Sequence, residues 1–327
     1  MNLSRARVAR LLRLIRKHPK TLKHVALEGA WWAIPSAGVR PLPLSWSLPA
    51  DMLAKTIIRW PKRVLLPDAH LWEPKLRAAL ATHVRLQPTT IDHAFTSILM
   101  FDVVIGGRSH RIAVDYRDTN EVPDDCVASV ALYFKLQFSN QGYPYEHVVP
   151  GGYLVGRQKY YRYLPRLRAL SGRDPLFDVY GRFGPRGETL RRKVAAQLRE
   201  QNRFQYTGGV GTVIYSQFLS EVARARISLD LPGYGWLCYR LVEYLGIGAC
   251  VVAIPHGNRL HVPLVDGEHV VYTRADGEDV VDLCAYYLEH DSERKAIARN
   301  AQDYFDRYMH YRQLGAYYIS MMFQRFR

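Results

Sequence analysis

The sequence is short of cysteine, of acid at its start, and of motifs that hold metals. It has only four cysteines, Cys126, Cys238, Cys250 and Cys284, in 327 residues. They are scattered without zinc-site spacing, which speaks against a disulfide framework and for a reducing, cytoplasmic setting. No Asp-x-Asp pair occurs to hold a divalent ion on a diphosphate, and the histidines are dispersed. No internal repeat is visible. TGGVGT, residues 207–212, has the wrong glycine spacing for a dinucleotide fingerprint and reads as a turn. Residues 1–27 hold no Asp or Glu. Their apolar runs are too short and broken for a secretory core or a membrane span.

What is present is apolar, aromatic and basic. Apolar residues make up 48%, with 22 Tyr and 6 Trp, so full cores can form and wholesale disorder is excluded. The length allows one large or two medium domains. The net charge of +15 points to an anionic partner: nucleic acid, an acidic membrane surface or a phosphate-bearing substrate. In residues 1–27, Arg7, Arg10 and Arg13 recur every three positions, with Leu3, Val8, Leu11, Leu12 and Ile15 between them. As a helix this has one basic and one apolar side. Three readings stay open: attachment to the inner face of a membrane, a packed N-terminal helix, and a mitochondrial presequence.

Residues 31–61 are rich in Pro and Trp and read as an irregular, anchored connection. From residue 62 short apolar segments alternate with helical spacing. RVLLPD reads as a strand and EPKLRAALATH as a helix. SILMFDVVIG and HRIAVDY are strands around Gly106-Gly107, and VASVALYFKLQF is strand-like. GRQKYYRYLPRLRAL, residues 156–170, is a basic aromatic helix able to bridge two halves. The second series runs through strands in PLFDVYGRFG, RFQYTGG, ISLDLPG, ACVVAIP and EHVVYT, with helices between them and a helical tail from Ser292. Such alternation predicts parallel sheets with βαβ connections. It gives a basic and Pro/Trp-rich segment 1–60, a Rossmann-like domain 61–165, a second 166–291 and a tail 292–327 packing back on the first. Ligands of open α/β sheets bind beyond the carboxyl ends of the strands.

The turn after the strand at 227–231 is Pro232-Gly233-Tyr234-Gly235. Its glycines let backbone N–H groups approach a phosphate at a helix start. Arg240 could grip a diphosphate with both arms of its fork, and Glu243 could accept from ribose hydroxyls. The bland alternative is an Arg240–Glu243 ion pair worth a few tenths of a kcal/mol.

Residues 215–255, YSQFLSEVARARISLDLPGYGWLCYRLVEYLGIGACVVAIP, resemble the donor-binding half of GT-B glycosyltransferases, of the protein O-glucosyltransferase-like, exostosin-like and bacterial group 1 types. Residues 264–305 resemble the end of the same domain, so the likeness covers roughly 176–310. It implies two Rossmann-like domains facing across a cleft, the GT-B fold, with a basic N-terminal helical extension. Gly233 and Gly235 then match the phosphate-side loop, with Tyr234 between them also expected at the donor, Arg240 matches the arginine that meets the diphosphate, and Glu243 the glutamate on the ribose. In YGRFGPRGETLRR, Arg182 and Arg186 would neutralise the leaving diphosphate without a metal. Gly235 stands where many retaining members carry an acid eight residues before Glu243. Residues 110–122 and 131–139 resemble the acceptor domain more weakly. An inverting transfer needs a base for the acceptor hydroxyl: Asp118 is the first candidate, Asp115 the second and His70 the third. Each has a plain structural alternative: turn cap, ion-pair partner and loop histidine respectively. Lys135 is expected to point to solvent.

The resemblance thus implies a metal-independent transferase with no cofactor, acting in polysaccharide or lipopolysaccharide biosynthesis. It would move sugar from a nucleotide sugar to a glycan, lipid-linked or protein hydroxyl. The alternatives are a non-catalytic nucleic-acid or polyanion binder and a degenerate transferase. No nucleic-acid module is legible, so no specific nucleic-acid partner is expected.

Overall fold

A computed structural model describes residues 42–327, except 65, 67, 68, 92–94, 96, 172, 174, 186 and 187 and the side chains of 70, 158 and 188. The basic segment 1–27, with its membrane-surface expectation, lies outside the described residues. No described helix is long and apolar enough to cross a membrane. The chain forms two α/β halves, each around its own sheet.

The N-terminal sheet contains β1 (Thr56–Pro61), β2 (Arg85–Thr89), β3 (Ile98–Ile105), β4 (Arg108–Asp115), β5 (Leu132–Lys135) and β6 (Val148–Pro150). Their order is β2-β1-β3-β4-β5-β6. β1 falls in the stretch expected to be irregular. Its Pro and Trp content masks a period of two: Thr56, Ile58 and Trp60 turn inward while Arg59 is exposed. No strand forms at the described positions of 63–68, where one was expected. The sheet is mixed, because β3 and β4 make an antiparallel hairpin through Gly106-Gly107 while β4, β5 and β6 run parallel. Only part of VASVALYFKLQF is strand; its start belongs to the short helix Asp124–Ala128.

The C-terminal sheet contains β7 (Phe177–Phe183), β8 (Tyr206–Val210), β9 (Ala225–Asp230), β10 (Cys250–Ala253) and β11 (Val271–Tyr272), in the order β11-β10-β9-β7-β8. All its pairings are parallel. β10 shows why: Cys250 and Val252 join one apolar cluster with Val194, Leu198 and Cys284, while Val251 and Ala253 join another with Leu219, Leu241 and Leu245. Helices cover both faces, so the strand is apolar throughout. TGG is strand rather than turn, with Gly208 and Gly209 paired to Gly181 and Arg182. A Cβ on Gly208 would collide with the Gly181 carbonyl, and its φ of 142° disfavours any other residue.

Two helices tie the halves together. Helix Gln158–Leu170 packs Tyr160, Tyr163 and Leu167 into the C-terminal core, and Arg168 grips Asp306 with both arms at 2.7 and 2.9 Å. The last helix, Tyr311–Arg325, returns to the N-terminal core, where Tyr318 stacks on Phe134 with centroids 3.9 Å apart.

Candidate functional site

β7 leads out to β8 on one side, and the chain then re-enters as β9 on the other side of β7. The adjacent β7 and β9 therefore mark a topological switch point, where ligands of open sheets bind. A pocket of about 270 Å³ opens there, lined by Gly184 and Pro185 after β7 and by residues 233–235 and 237–240 after β9. Asp118 and Tyr153 close it from the N-terminal half. A second pocket of about 210 Å³ adjoins it, lined by Asp118, Asn120, Gln137, Tyr234, Trp236 and Asn258 among others. Both lie in the crevice between the halves.

Arg240 is 8% exposed and lines the first pocket. It does not pair with Glu243. Its Nε donates to Asp230 at 2.9 Å, and its two terminal nitrogens donate to the carbonyls of Arg182 (3.2 Å) and Leu231 (2.8 Å). These contacts use three of its five N–H groups and hold the fork at the ends of β7 and β9. Burial pushes the Asp230 carboxyl up, and Arg240 opposes that rise.

Beside it stands Arg191, only 4% exposed, on the helix Glu188–Glu200. It donates to the carbonyls of Gly184 (2.8 Å) and Leu231 (3.1 Å), while its buried Nε has no partner. Burial and then Arg240 lower its pKa. Two buried guanidiniums thus share one pocket with Asp230 as the nearest compensating carboxylate, an arrangement that an anion relieves. Sequence reasoning missed Arg191. The available signal was its place in the first turn of a helix, where the dipole disfavours a cation.

The other expected residues are distributed differently. Gly233, Tyr234 and Gly235 line the pocket, with Tyr234 74% exposed. Arg182 turns away: its Nε donates to Glu221 at 2.8 Å, and only its carbonyl reaches Arg240. Arg186 lies outside the described residues. Glu243 is fully buried and lines neither pocket; it accepts from Tyr215, over whose ring Arg157 lies at 4.2 Å. Its second oxygen has no partner, and burial pushes its carboxyl up to about 7, against the pull of Tyr215, Arg157 and Arg240.

On the N-terminal side Asp118 lines both pockets, with Gln137 Nε2 3.4 Å from its Oδ1. Asp115 is fully buried and lines neither. It binds Arg117 (2.8 Å), Tyr133 (2.6 Å) and Lys135 (2.9 Å), so it anchors strand ends. Burial pushes its carboxyl up, but Arg117, Lys135 and Tyr133 hold it net below the usual range. Lys135, expected in solvent, is fully buried against it, because β5 is covered on both faces. His70 falls in the short helix Ala69–Leu71, and its side chain is outside the described residues.

Gln137 joins the halves and was also missed. It donates to the Leu237 carbonyl (2.9 Å), accepts from the Leu237 N–H (3.1 Å) and accepts from Asn258. Gly235 lets it approach: a Cβ there would lie 2.8 Å from Gln137 Cδ. Gly235→Ala is therefore expected to cost about 1–3 kcal/mol of overpacking strain. That loss, read by thermal unfolding, should vanish in a Gln137→Ala background; persistence there would contradict the contact.

Residues 174–319 match the family described as glycosyl transferase-like. This stretch holds β7 to β11, Arg191, the Gly233-Tyr234-Gly235 turn and Arg240. No curated protein matches the chain. Among solved structures, the crystal structure of an alpha1,3-fucosyltransferase is similar at 10% identity, covering 89% of this chain and 92% of that one, with a TM-score of 0.48.

Proposed function

We propose, from the glycosyl transferase-like character of the C-terminal half, that this chain transfers a sugar from a nucleotide-sugar donor to a hydroxyl acceptor. The observation that carries it is the buried Arg191–Arg240 pair at the switch point, under a glycine turn and beside the start of helix Tyr239–Ile247. The donor diphosphate sits in this pocket. The two guanidiniums and the backbone N–H groups of the turn meet the charge that grows on it as the glycosidic bond breaks, in place of a metal. Glu243 acts through Tyr215 and Arg157 rather than by touching the donor.

The acceptor enters the adjoining polar pocket, where Trp236, 49% exposed, offers a face to a sugar ring. Asp118 lies between the two pockets and takes the proton of the attacking hydroxyl. Polysaccharide or lipid-linked acceptors remain part of this proposal, as does peripheral attachment through residues 1–27.

Screening UDP-, GDP- and CMP-sugars by thermal shift identifies the donor, since a ligand of the folded state alone raises the melting point. If none shifts it and none is turned over, the reading fails. With the donor in hand, Asp118→Asn is expected to lower kcat by about 10²–10⁴ with little change in donor KM. Unchanged kcat would remove Asp118 from the reaction.

A further inference from the structure

A cavity of the C-terminal half lies at the opposite end of the strands from the crevice. It has a volume of about 730 Å³, within the usual range of small-molecule sites. The first residues of β9 and β10, Ala225 and Cys250, form part of its wall. β9 begins there and ends at Asp230 in the crevice, about 17 Å away at about 3.3 Å per residue. The two sites are thus separate, and a ligand in this cavity is independent of the transferase reading.

Among the described residues, seven Lys and Arg side chains line the cavity, against one acid, Asp291. Asp291 is shared by Arg294 and Lys295. Two carboxylates outside the lining reach its cations: Asp306 pairs with Arg168, and Asp178 approaches Arg226 at 3.8 Å. The remaining three arginines, Arg173, Arg224 and Arg299, have no ion-pair partner among the described residues. Arg294 is 7% exposed, and its Nε is buried without a partner.

A plain structural account would have these cations neutralise helix ends. Helices Gln158–Leu170, Tyr215–Ala223, Tyr239–Ile247 and Val280–Glu289 end at the cavity, and Asp291–Tyr304 begins there. At about half a charge per terminus, the five together supply about −1.5. Among the described residues, seven cations against three carboxylates leave four unmatched, so the helix ends cover less than half of the excess. A net charge of about +2 or more stays inside a concave wall, where repulsion among the guanidiniums is relieved by a multivalent anion.

We propose that this cavity binds a compact polyphosphate, an anion with two or more linked phosphates. Arginine forks suit phosphate oxygens bidentately, and the partnerless Nε of Arg294 supplies a donor fixed before binding. The size favours a nucleotide-sized ligand over a bilayer surface, which needs a broad exposed face. The phosphates could come from an inorganic chain or from a nucleoside triphosphate.

The test is calorimetric titration of the full chain with tripolyphosphate and, separately, ATP. The comparison protein carries Arg173→Ser, Arg224→Ser and Arg299→Ser, outer positions whose replacement leaves the core and the crevice untouched. Expected is a tripolyphosphate Kd weakened by about tenfold or more in the triple variant, with less than about threefold change in the crevice variant Arg191→Gln. Equal affinities for ATP and tripolyphosphate mean that phosphates alone are read; tighter ATP means that the base also binds. Both support the site. The proposal is overturned if the triple variant binds tripolyphosphate as well as the parent, or if Arg191→Gln alone abolishes binding. It is also overturned if tripolyphosphate fails to bind the parent; loss of binding to phosphatidylserine vesicles in the triple variant would then assign the cations to a bilayer surface instead.

Discussion

Arg191→Gln is expected to lower kcat/KM for the nucleotide sugar by about 10²–10³, with most of the loss in kcat. Negative charge on the diphosphate increases as the sugar leaves, so a fixed cation stabilises the transition state more than the bound donor. Arg191 is already buried and held by the carbonyls of Gly184 and Leu231, so little reorganisation is needed at the moment of reaction. Arg191→Lys keeps the charge but loses the fork, and should fall between the parent and the glutamine variant. Arg240→Ala should cost at least as much activity but also stability, since it strands the buried Asp230 carboxylate at the end of β9. Melting curves separate the two effects: Arg191→Gln should keep a cooperative transition. Full turnover in a folded Arg191→Gln protein would refute the assignment of the diphosphate to this pocket.

Glu243→Gln is expected to raise stability at pH 8 by about 3 kcal/mol, and to leave it nearly unchanged at pH 4. An exposed glutamate carboxyl titrates near 4.5, whereas burial holds Glu243 at about 7. Between these values the folded chain keeps a proton that the unfolded chain has lost. Stability is therefore fully present below the unfolded pKa, declines as pH rises through the window, and levels off above about 7. About 2.5 units at 1.36 kcal/mol each sets the size. Glutamine keeps an acceptor for Tyr215 and carries no charge to bury. Buried His261 and His310, both pushed down to about 4, produce the opposite slope in an overlapping window, because the unfolded chain binds their protons first. The informative quantity is therefore the difference between variant and parent across pH 4–8, in which the histidine effects cancel. A constant difference would mean that Glu243 is already ionised in the fold.

The sequence alone determined the succession of strands and helices in the C-terminal half, because β10 and its neighbours are apolar on both faces and their helices carry regular apolar spacing. It also placed the Gly233-Tyr234-Gly235 turn, Arg240 and Asp118 at the crevice. β1 was hidden, since its strand-favouring Thr-Ile-Ile-Arg-Trp run lies at the end of a Pro-rich stretch and becomes a strand by pairing with β2 on one side and β3 on the other. Only the tertiary structure decided which charges face the pocket. Arg182 and Arg191 flank the same loop, and a one-dimensional reading favoured Arg182. Folding places Glu221 against Arg182 and leaves Arg191 beside Arg240. Asp115 and Asp118 differ in the same way: three residues apart, one is enclosed by Arg117, Tyr133 and Lys135, and the other lies at the junction of two pockets. Spacing along the chain fixes local geometry, whereas the partner of a charge is chosen by segments as distant as Asp306 is from Arg168.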